Sequence, residues 1–334
     1  MPVAEIDRRT DLIVDIGKSG TRGRLTHCGA VFEAATAGLP PHVAGAPGAG
    51  AALAVAVSTV WELVVPCAGG LAPEGVDAVV VGSTSIPCAE EVELFTASMR
   101  RLWPRSAIVL AEDGVVAHAA ALGGPGVVAS IGTGTVVTGI GDDGGWHRRD
   151  GWGPDLGDRG SGAWLGTEGL RAAFAALDRA GPATSLLPAA QEHLGATDLA
   201  AATRLLARPD RVAVLAHFAR RVCAIAQTGD PVAEALVQRA TNDAAATIRA
   251  VARDTATTQV VVVGRLGGDP VYAESLARHL AASGERLIDG RGGPLDVAPL
   301  LLFSAPYAAV CRAVIPSVRQ TASIWEDRHS TRDI

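Results

Sequence analysis

Lysine is almost absent from this chain, and cysteine does not cluster. Lys18 is the only lysine, and the remaining side chains of fixed positive charge are arginines. The formal net charge is −6, which argues against a basic surface for nucleic acid or an anionic membrane. The five cysteines are widely scattered without a CxxC pair, so the sequence does not predict a zinc or iron–sulfur site. We expect free thiols in a reducing compartment.

Long apolar segments are also missing. The opening residues, MPVAEIDRRTD, lack the apolar core of a signal peptide, and no apolar run of membrane-spanning length is free of glycine, proline and charge. We therefore expect a cytoplasmic protein with no membrane or nucleic-acid partner. The 334 residues suffice for two domains, and a hydrophobic content of 48% predicts packed cores rather than disorder.

Buried strands that end in glycine turns recur along the chain. LIVDI (12–16) runs into GKSGTR and a second strand, and GVVASIGTGTVVTGI (126–140) repeats that order. VVVVGRLGG (260–268) is a third strand with a glycine turn. Helices are predicted over 50–65, 90–103, 114–122, 163–179, most of 185–258 and 270–283, with further strands over 77–85 and 107–114. This alternation predicts an α/β fold, and the repeated opening predicts two related domains.

The three turns are candidates for nucleotide binding, because successive backbone N–H groups in such turns suit phosphate oxygens. A P-loop is excluded, since a strand follows the first turn and the GxxxxGK[ST] spacing is absent. Asp15, at the mouth of the first turn, could hold Mg²⁺ through water. A single turn of this kind can be a simple hairpin bend, whereas three in this order favour a nucleotide site.

The loop GWGPDLGDRGSG (151–162) holds five glycines and two aspartates. So many glycines suggest a backbone that approaches a ligand closely. Asp158 could contact that ligand, cap the helix predicted from 163, or simply form the turn. Asp155 is interpreted as a turn residue.

These motifs resemble those of the actin, sugar kinase and Hsp70 superfamily. More closely, they are similar to the BadF/BadG/BcrA/BcrD ATPase family and its N-acetylglucosamine kinases, through DIGKSGTR, AEDGVVAHAAALGGPGVVASIGTGTV and GWGPDLGDRGSGAWLG. The resemblance covers most of residues 11–310. It implies two actin-like (ribonuclease H-like) α/β ATPase domains around a central cleft, over 1–118 and 119–304. Residues 305–334 would form a last helix packing back on the N-terminal domain, followed by a polar tail.

The resemblance also implies a kinase that uses ATP and Mg²⁺ to phosphorylate the 6-hydroxyl of an amino sugar. The first two turns would hold phosphates, through Gly17, Lys18, Ser19, Gly20, Thr21, Gly132, Thr133, Gly134 and Thr135. The third would lie against adenosine, through Gly264, Gly267 and Gly268. The sugar would be bound by Thr84, Ser85, Asp113, Gly151, Asp158 and Gly162. A homodimer is the expected assembly.

Asp113 is the predicted base that accepts the hydroxyl proton. Glu112 is the alternative, because the family more often has Thr-Asp-Ala or Ser-Asp-Ala here. Strand alternation would turn only one of the two carboxylates into the cleft. An N-cap role for Asp113 is the other interpretation.

Several positions depart from the family pattern and leave the acceptor open. Arg159 stands where acidic or small residues are commoner, and is interpreted as a surface charge. Val136 stands where some N-acetylglucosamine kinases have asparagine, so glucosamine or a cyclitol is also possible. Lys18 could reach a phosphate or be solvated, and His118 is interpreted as structural. The alternative functions are an ATPase that activates a partner enzyme and a regulator that has lost catalysis.

Overall fold

The computed structural model describes residues 9–17, 20–39, 47–84, 86, 88–297, 299–303, 306–311 and 313–315. The chain divides into two compact units. Unit 1 holds Met1–Gly123 and Arg291–Ile334, and unit 2 holds Gly124–Gly290. Both units are mixed α/β structures, as predicted from the alternation of strands and helices.

Unit 1 begins with strands β1 (Thr10–Ile16), β2 (Thr21–His27) and β3 (Ala30–Thr36), helix α1 (Ala49–Val64), strand β4 (Ala78–Ser83), helix α2 (Ala89–Leu102), strand β5 (Ala107–Glu112) and helix α3 (Asp113–Ala121). Strands β1, β4 and β5 are parallel neighbours and almost fully buried, which explains their unbroken runs of Val, Ile and Leu. β2 and β3 extend the sheet as antiparallel hairpins.

Helices α1 and α2 pack closely in unit 1. Gly23 of β2 makes room for Val60 of α1, because a Cβ at Gly23 would lie 2.1 Å from a methyl carbon of Val60. The buried carboxylate of Glu91 on α2 accepts hydrogen bonds from the N–H groups of Gly48 and Gly50, at 2.7 and 2.8 Å. The negative charge of Glu91 thus offsets the partial positive charge at the N-terminus of α1.

Among the described residues, the segment Ala49–Ala68 is long and apolar enough to cross a membrane by length and composition. About a third of it, 33%, is buried in the structure. The apolar residues of α1 belong to the core of unit 1. Core helices of globular units pass the same test, so the segment is weak support for a membrane span.

Unit 2 contains β6 (Gly126–Ile131), β7 (Thr135–Ile140), β8 (Trp146–Asp150), α4 (Gly162–Leu177), α5 (Leu186–Leu194), α6 (Leu199–Ala207), α7 (Arg211–Gln227), α8 (Pro231–Asp254), β9 (Gln259–Val263), α9 (Pro270–Ala281) and β10 (Arg286–Leu287). Its sheet has the order β10-β9-β6-β7-β8, with β6 and β9 parallel. α4 and α7 approach closely at Gly166, where a Cβ would lie 1.8 Å from the carbonyl oxygen of Leu215.

The chain then returns to unit 1. The N–H of Arg291 donates to the carbonyl of Ala121 at 2.9 Å, and the guanidinium of Arg24 pairs with the carboxylate of Asp296. Arg24 also donates to the carbonyl of Leu295 at 3.3 Å. The structure therefore differs from the predicted boundary, which placed residues 291–304 in the second domain.

The described part of the predicted last helix is mostly not helical. It forms a single helical turn, α10 (Tyr307–Val310), and a short strand, β11 (Ala313–Ile315). β11 pairs antiparallel with β5 and completes the sheet order β11-β5-β4-β1-β2-β3. The predicted polar tail lies outside the described residues.

Candidate functional site

In unit 1, the parallel strands β1, β4 and β5 end at one edge of the sheet. Their last residues are in register, and the residues that follow them are Gly17, Thr84 and Asp113. The carboxyl edge of parallel strands is where open α/β sheets bind ligands. The sheet thus brings these three predicted site residues to one edge, whereas Ser85 lies outside the described residues.

The first turn is tightly closed. The N–H of Gly17 donates to the carbonyl of Gly20 at 3.0 Å. The hydroxyl of Thr21 is fully buried, and within the described part of the chain it has no hydrogen-bond partner. Lys18 and Ser19 lie outside the described residues.

Asp15 faces Arg22 across the β1–β2 hairpin. The distance from Asp15 Oδ2 to Arg22 Nη2 is 2.6 Å, and the Asp15 side chain is 15% exposed. No group of three or more His, Cys, Asp or Glu residues that could hold a metal occurs among the described residues. One accessible carboxylate suits Mg²⁺ that keeps its waters and arrives with a nucleotide. The Mg²⁺ role of Asp15 stays a prediction, because in this structure its Oδ2 is paired with Arg22.

Asp113 is the first residue of α3, which corrects the predicted strand over 107–114. β5 ends at Glu112, which takes the N-cap position without a capping hydrogen bond from its side chain. Oδ1 of Asp113 accepts a hydrogen bond from the N–H of Gly114 at 2.8 Å. Because the strand has already ended, alternation does not separate Glu112 from Asp113, and both are half-buried.

In unit 2, the second turn packs against the start of α4. The N–H of Gly162 donates to the carbonyl of Gly132 at 2.8 Å, and the N–H of Ala163 donates to that of Thr133 at 3.0 Å. A Cβ at Gly162 would lie 2.9 Å from the Gly132 carbonyl oxygen, so this contact requires glycine. The helix that follows the glycine-rich loop is thereby fixed to the second turn.

The third turn abuts the second. Gly264 has a φ of 100°, and a Cβ there would lie 2.4 Å from the carbonyl oxygen of Ile131, the last residue of β6. The same carbonyl accepts a hydrogen bond from the N–H of Gly267 at 3.0 Å. The N–H of Gly268 donates back to Gly264 at 3.1 Å. The predicted phosphate and adenosine turns are therefore adjacent.

Asp158 lies against the second turn. It is 7% exposed, and its Oδ1 accepts a hydrogen bond from the N–H of Thr135 at 3.3 Å. A Cβ at Gly134 would lie 2.7 Å from Asp158 Oδ2. Asp158 does not cap α4, because Ser161 is the N-cap and its hydroxyl accepts from the N–H of Trp164 at 3.1 Å. Of the three predicted alternatives, the helix cap is thereby wrong, whereas the φ of 54° at Asp158 and the hydrogen bond from the N–H of Ser161 to its carbonyl agree with a turn position.

Sequence reasoning missed Asp150, the residue just before the glycine-rich loop. Its carboxylate is buried and accepts hydrogen bonds from backbone N–H groups at both ends of residues 151–159. A carboxylate adjoining five glycines was the available signal. Asp155 of the same loop, interpreted as a turn residue, has a side chain that is 77% exposed and lies 3.3 Å from Arg211.

The exposure and contacts of Arg159 and His118 agree with the roles predicted for them. The side chain of Arg159 is 57% exposed, which agrees with a surface charge. His118 is fully buried, with 3.1 Å between its Nδ1 and the hydroxyl of Tyr307, which agrees with a structural role. Gly151 has a φ of 74° and follows the end of β8.

The two turns predicted to hold phosphates share a buried threonine hydroxyl. The hydroxyl of Thr135, like that of Thr21, is buried and has no hydrogen-bond partner among the described residues. Buried hydroxyls are normally hydrogen-bonded, so each has a donor to offer to a ligand. At Gly132, an added Cβ would meet nothing within 4 Å, which leaves the second turn open on that side. Phosphate oxygens of ATP suit such donors.

The comparisons with known proteins agree with this geometry. A model of the BadF/BadG/BcrA/BcrD ATPase family matches residues 14–285. The chain is similar to a candidate N-acetylglucosamine kinase structure from Chromobacterium violaceum, with a TM-score of 0.68 and 25% identity over 89% of this chain and 99% of that one. A second candidate N-acetylglucosamine kinase, from Porphyromonas gingivalis, shares the fold, with a TM-score of 0.67 and 20% identity over 87% and 98%.

A shorter match is to the N-acetyl-D-glucosamine kinase of Dictyostelium discoideum, 44% identical over 72 residues. It spans 22% of this chain and 23% of that protein. The family model, by contrast, includes all three glycine turns and the loop 151–162. The predicted resemblance is confirmed, and the chain belongs to the BadF/BadG/BcrA/BcrD ATPase family.

Proposed function

We propose that this protein is an ATP-dependent sugar kinase that transfers the γ-phosphate to the 6-hydroxyl of an amino sugar, N-acetylglucosamine or glucosamine. The contact between Asp158 and Thr135 carries the proposal, because it joins the predicted sugar loop to the predicted phosphate turn. Phosphoryl transfer requires donor and acceptor to be held side by side. The similarity to N-acetylglucosamine kinases supports an amino sugar as the acceptor.

In unit 2, the second turn would donate backbone N–H groups and the Thr135 hydroxyl to the phosphates. The third turn would lie against adenosine, held in place because Gly264 and Gly267 let its backbone pack closely on Ile131 and Val262. Asp158 would accept hydrogen bonds from sugar hydroxyls while it supports the second turn. Gly151 and Gly162 are proposed sugar-site residues on the family resemblance, since protein atoms fill the space that a Cβ would occupy at each of them.

In unit 1, Asp113 would accept the proton of the 6-hydroxyl as the bond to phosphorus forms. Thr84 and Ser85 would contact the sugar, and the first turn, with Lys18 and Ser19, would contact phosphates. Asp15 would hold Mg²⁺ through water. Mg²⁺ that arrives with ATP neutralises charge on the phosphate oxygens. The proposed assembly is a homodimer, and the proposed location is the cytoplasm.

The activator alternative needs cysteines that can hold an iron–sulfur cluster between two subunits. Cys223 is buried, and burial raises the pKa of its thiol, which opposes the thiolate that a cluster ligand requires. The environment of Cys223 therefore favours the kinase over the activator.

The proposal is tested by coupled ADP release from purified protein with Mg-ATP. Four reactions are compared, with N-acetylglucosamine, glucosamine, glucose and no sugar. We expect turnover that depends on an amino sugar, and a loss of about 100- to 10,000-fold in Asp113→Ala, as for removal of a general base. Asp155→Ala, at an exposed aspartate, is the control and keeps full activity. Equal rates with and without sugar would contradict the proposal.

A further inference from the structure

The carboxylate of Asp150 is the anchor of the glycine-rich loop. Its side chain has 0% exposure. Oδ1 accepts hydrogen bonds from the N–H groups of Gly151 and Asp158, at 2.8 and 2.7 Å, and Oδ2 accepts one from the N–H of Arg159 at 3.0 Å. One side chain thus binds the backbone at the start of the loop, at residue 151, and again at residues 158 and 159.

The loop is built around this carboxylate. Asp150 itself has a φ of 61°, in the left-handed region that side chains other than Asn, Asp and Gly rarely adopt. A Cβ at Gly157 would lie 2.3 Å from Asp150 Oδ1, so glycine is required where the chain passes the carboxylate. A buried carboxylate is costly unless several donors satisfy it, and here backbone N–H groups do so.

Two hydrogen bonds connect Asp150 to the second turn by way of Asp158. The backbone N–H of Asp158 is held by Asp150, and the Asp158 carboxylate in turn accepts from the N–H of Thr135. The nearest guanidinium nitrogen of Arg159 is 3.9 Å from Asp150 Oδ2, and its side chain is 57% exposed. The bonds of Asp150 to the loop therefore run chiefly through backbone amides.

We propose that Asp150 is a positioning residue that fixes the direction of Asp158, and thereby sets the affinity for both acceptor sugar and ATP. This inference rests on the proposed kinase function. It assigns Asp150 no contact with either substrate. Its effect is transmitted through the backbone of the loop, because two atoms of one rigid carboxylate define where residues 158 and 159 lie.

Three variants separate this role from simple stabilisation. Asp150→Gly removes the carboxylate and keeps a residue suited to positive φ. Asp150→Asn keeps one acceptor oxygen and also tolerates that φ. Asp155→Gly removes a carboxylate of the same loop that is exposed. Hydrogen exchange of peptides covering 150–162, KM and kcat are measured for each, well below the melting temperature.

We expect Asp150→Gly to speed exchange across 151–159 and to raise KM for the sugar about 10- to 100-fold, the loss of a charge-assisted hydrogen bond. Asp150→Asn should restore part of both properties, and Asp155→Gly should match the wild type. Unchanged KM values in Asp150→Gly, even with a lower melting temperature, would overturn the proposal and leave only a structural role.

The test remains informative if no sugar is phosphorylated. Binding of Mg-ATP, measured by calorimetry, and hydrogen exchange then report on Asp150 without the reaction. Weaker ATP binding with faster exchange in Asp150→Gly would support the positioning role while the kinase proposal fails. Wild-type ATP affinity would contradict it.

Discussion

Asp158 and Thr135 are 23 residues apart in sequence, yet the carboxylate of the first accepts a hydrogen bond from the backbone N–H of the second at 3.3 Å. This bond fastens the glycine-rich loop to the second glycine turn of unit 2. Because Asp158 belongs to the proposed sugar loop and supports the proposed phosphate turn, its substitution should change the affinity for both sugar and ATP.

Asp158→Asn is therefore expected to weaken both ATP and sugar binding. Loss of a hydrogen bond to a charged group costs about 1.5–3 kcal/mol, or roughly 10- to 150-fold in affinity. Calorimetry with ATP alone and with sugar alone measures the two effects separately. A loss confined to the sugar would show that the support of Asp158 for the second turn does not matter to the nucleotide.

Two glycines of the second turn should respond differently to alanine. In Gly134→Ala the new Cβ would lie 2.7 Å from Asp158 Oδ2, so we expect a loss of about 1–3 kcal/mol in the free energy of unfolding. In Gly132→Ala the Cβ enters open space, where a phosphate would sit. We expect near-normal stability but weaker ATP binding. Denaturant unfolding and calorimetry test the pair, and normal ATP affinity in Gly132→Ala would place the phosphates elsewhere.

Tyr272 of α9 secures the far end of the same loop. Its buried hydroxyl donates to the carbonyl of Gly160 at 2.8 Å, and burial raises the pKa of the phenol. Tyr272→Phe leaves that carbonyl unpaired, which should lower stability by about 1–3 kcal/mol and weaken sugar binding. Tyr307→Phe, at a buried tyrosine of unit 1, is the matched control. Tyr307→Phe should lower the stability without changing the sugar affinity. Equal losses of sugar affinity in both variants would argue that Tyr272 does not act through the loop.

The ion pair between Arg24 and Asp296 should give unit 1 a pH-dependent stability. The hydrogen bond from Arg24 holds the pKa of Asp296 below its usual value. A lowered folded-state pKa adds stability that is complete above the unfolded value of about 3.9 and is lost as pH falls through the folded value.

Asp296→Asn is therefore expected to be less stable than the wild type by about 0.2–1 kcal/mol at pH 7, since the pair is partly exposed. The difference should vanish as pH falls through the lowered folded-state pKa of Asp296, because the wild-type carboxyl then also becomes protonated. Urea unfolding at several pH values measures it. A difference that persists in acid would assign the effect to something other than this pair.

The sequence was informative wherever function depends on local pattern. Buried β runs that end in glycine predicted the three turns, and the adjacency of the second and third turns in unit 2 follows from β6 and β9 being parallel neighbours. Asp150 was not predicted, because its role depends on accepting N–H groups eight and nine residues away. The five neighbouring glycines mark the position of Asp150, but its positive φ and the N–H groups that it accepts cannot be read from composition or spacing.

The ends of strands and of the two units were harder to predict, because they too depend on long-range contacts. Asp113 was assigned to a strand because LAED continues an apolar run, but parallel pairing with β4 ends at Glu112. The return of residues 291–303 to unit 1 depends on long-range contacts such as Arg24 with Asp296. β11 has only three residues, too few for a periodic signal.

The most direct measurement of the central claim is ³¹P NMR of a reaction with Mg-ATP and N-acetylglucosamine or glucosamine, beside the same reaction with Asp113→Ala. A phosphomonoester at the sugar 6-position, formed in step with ADP and absent from the Asp113→Ala reaction, is the predicted result. Inorganic phosphate as the only product, or ester formation unchanged in Asp113→Ala, would contradict the account.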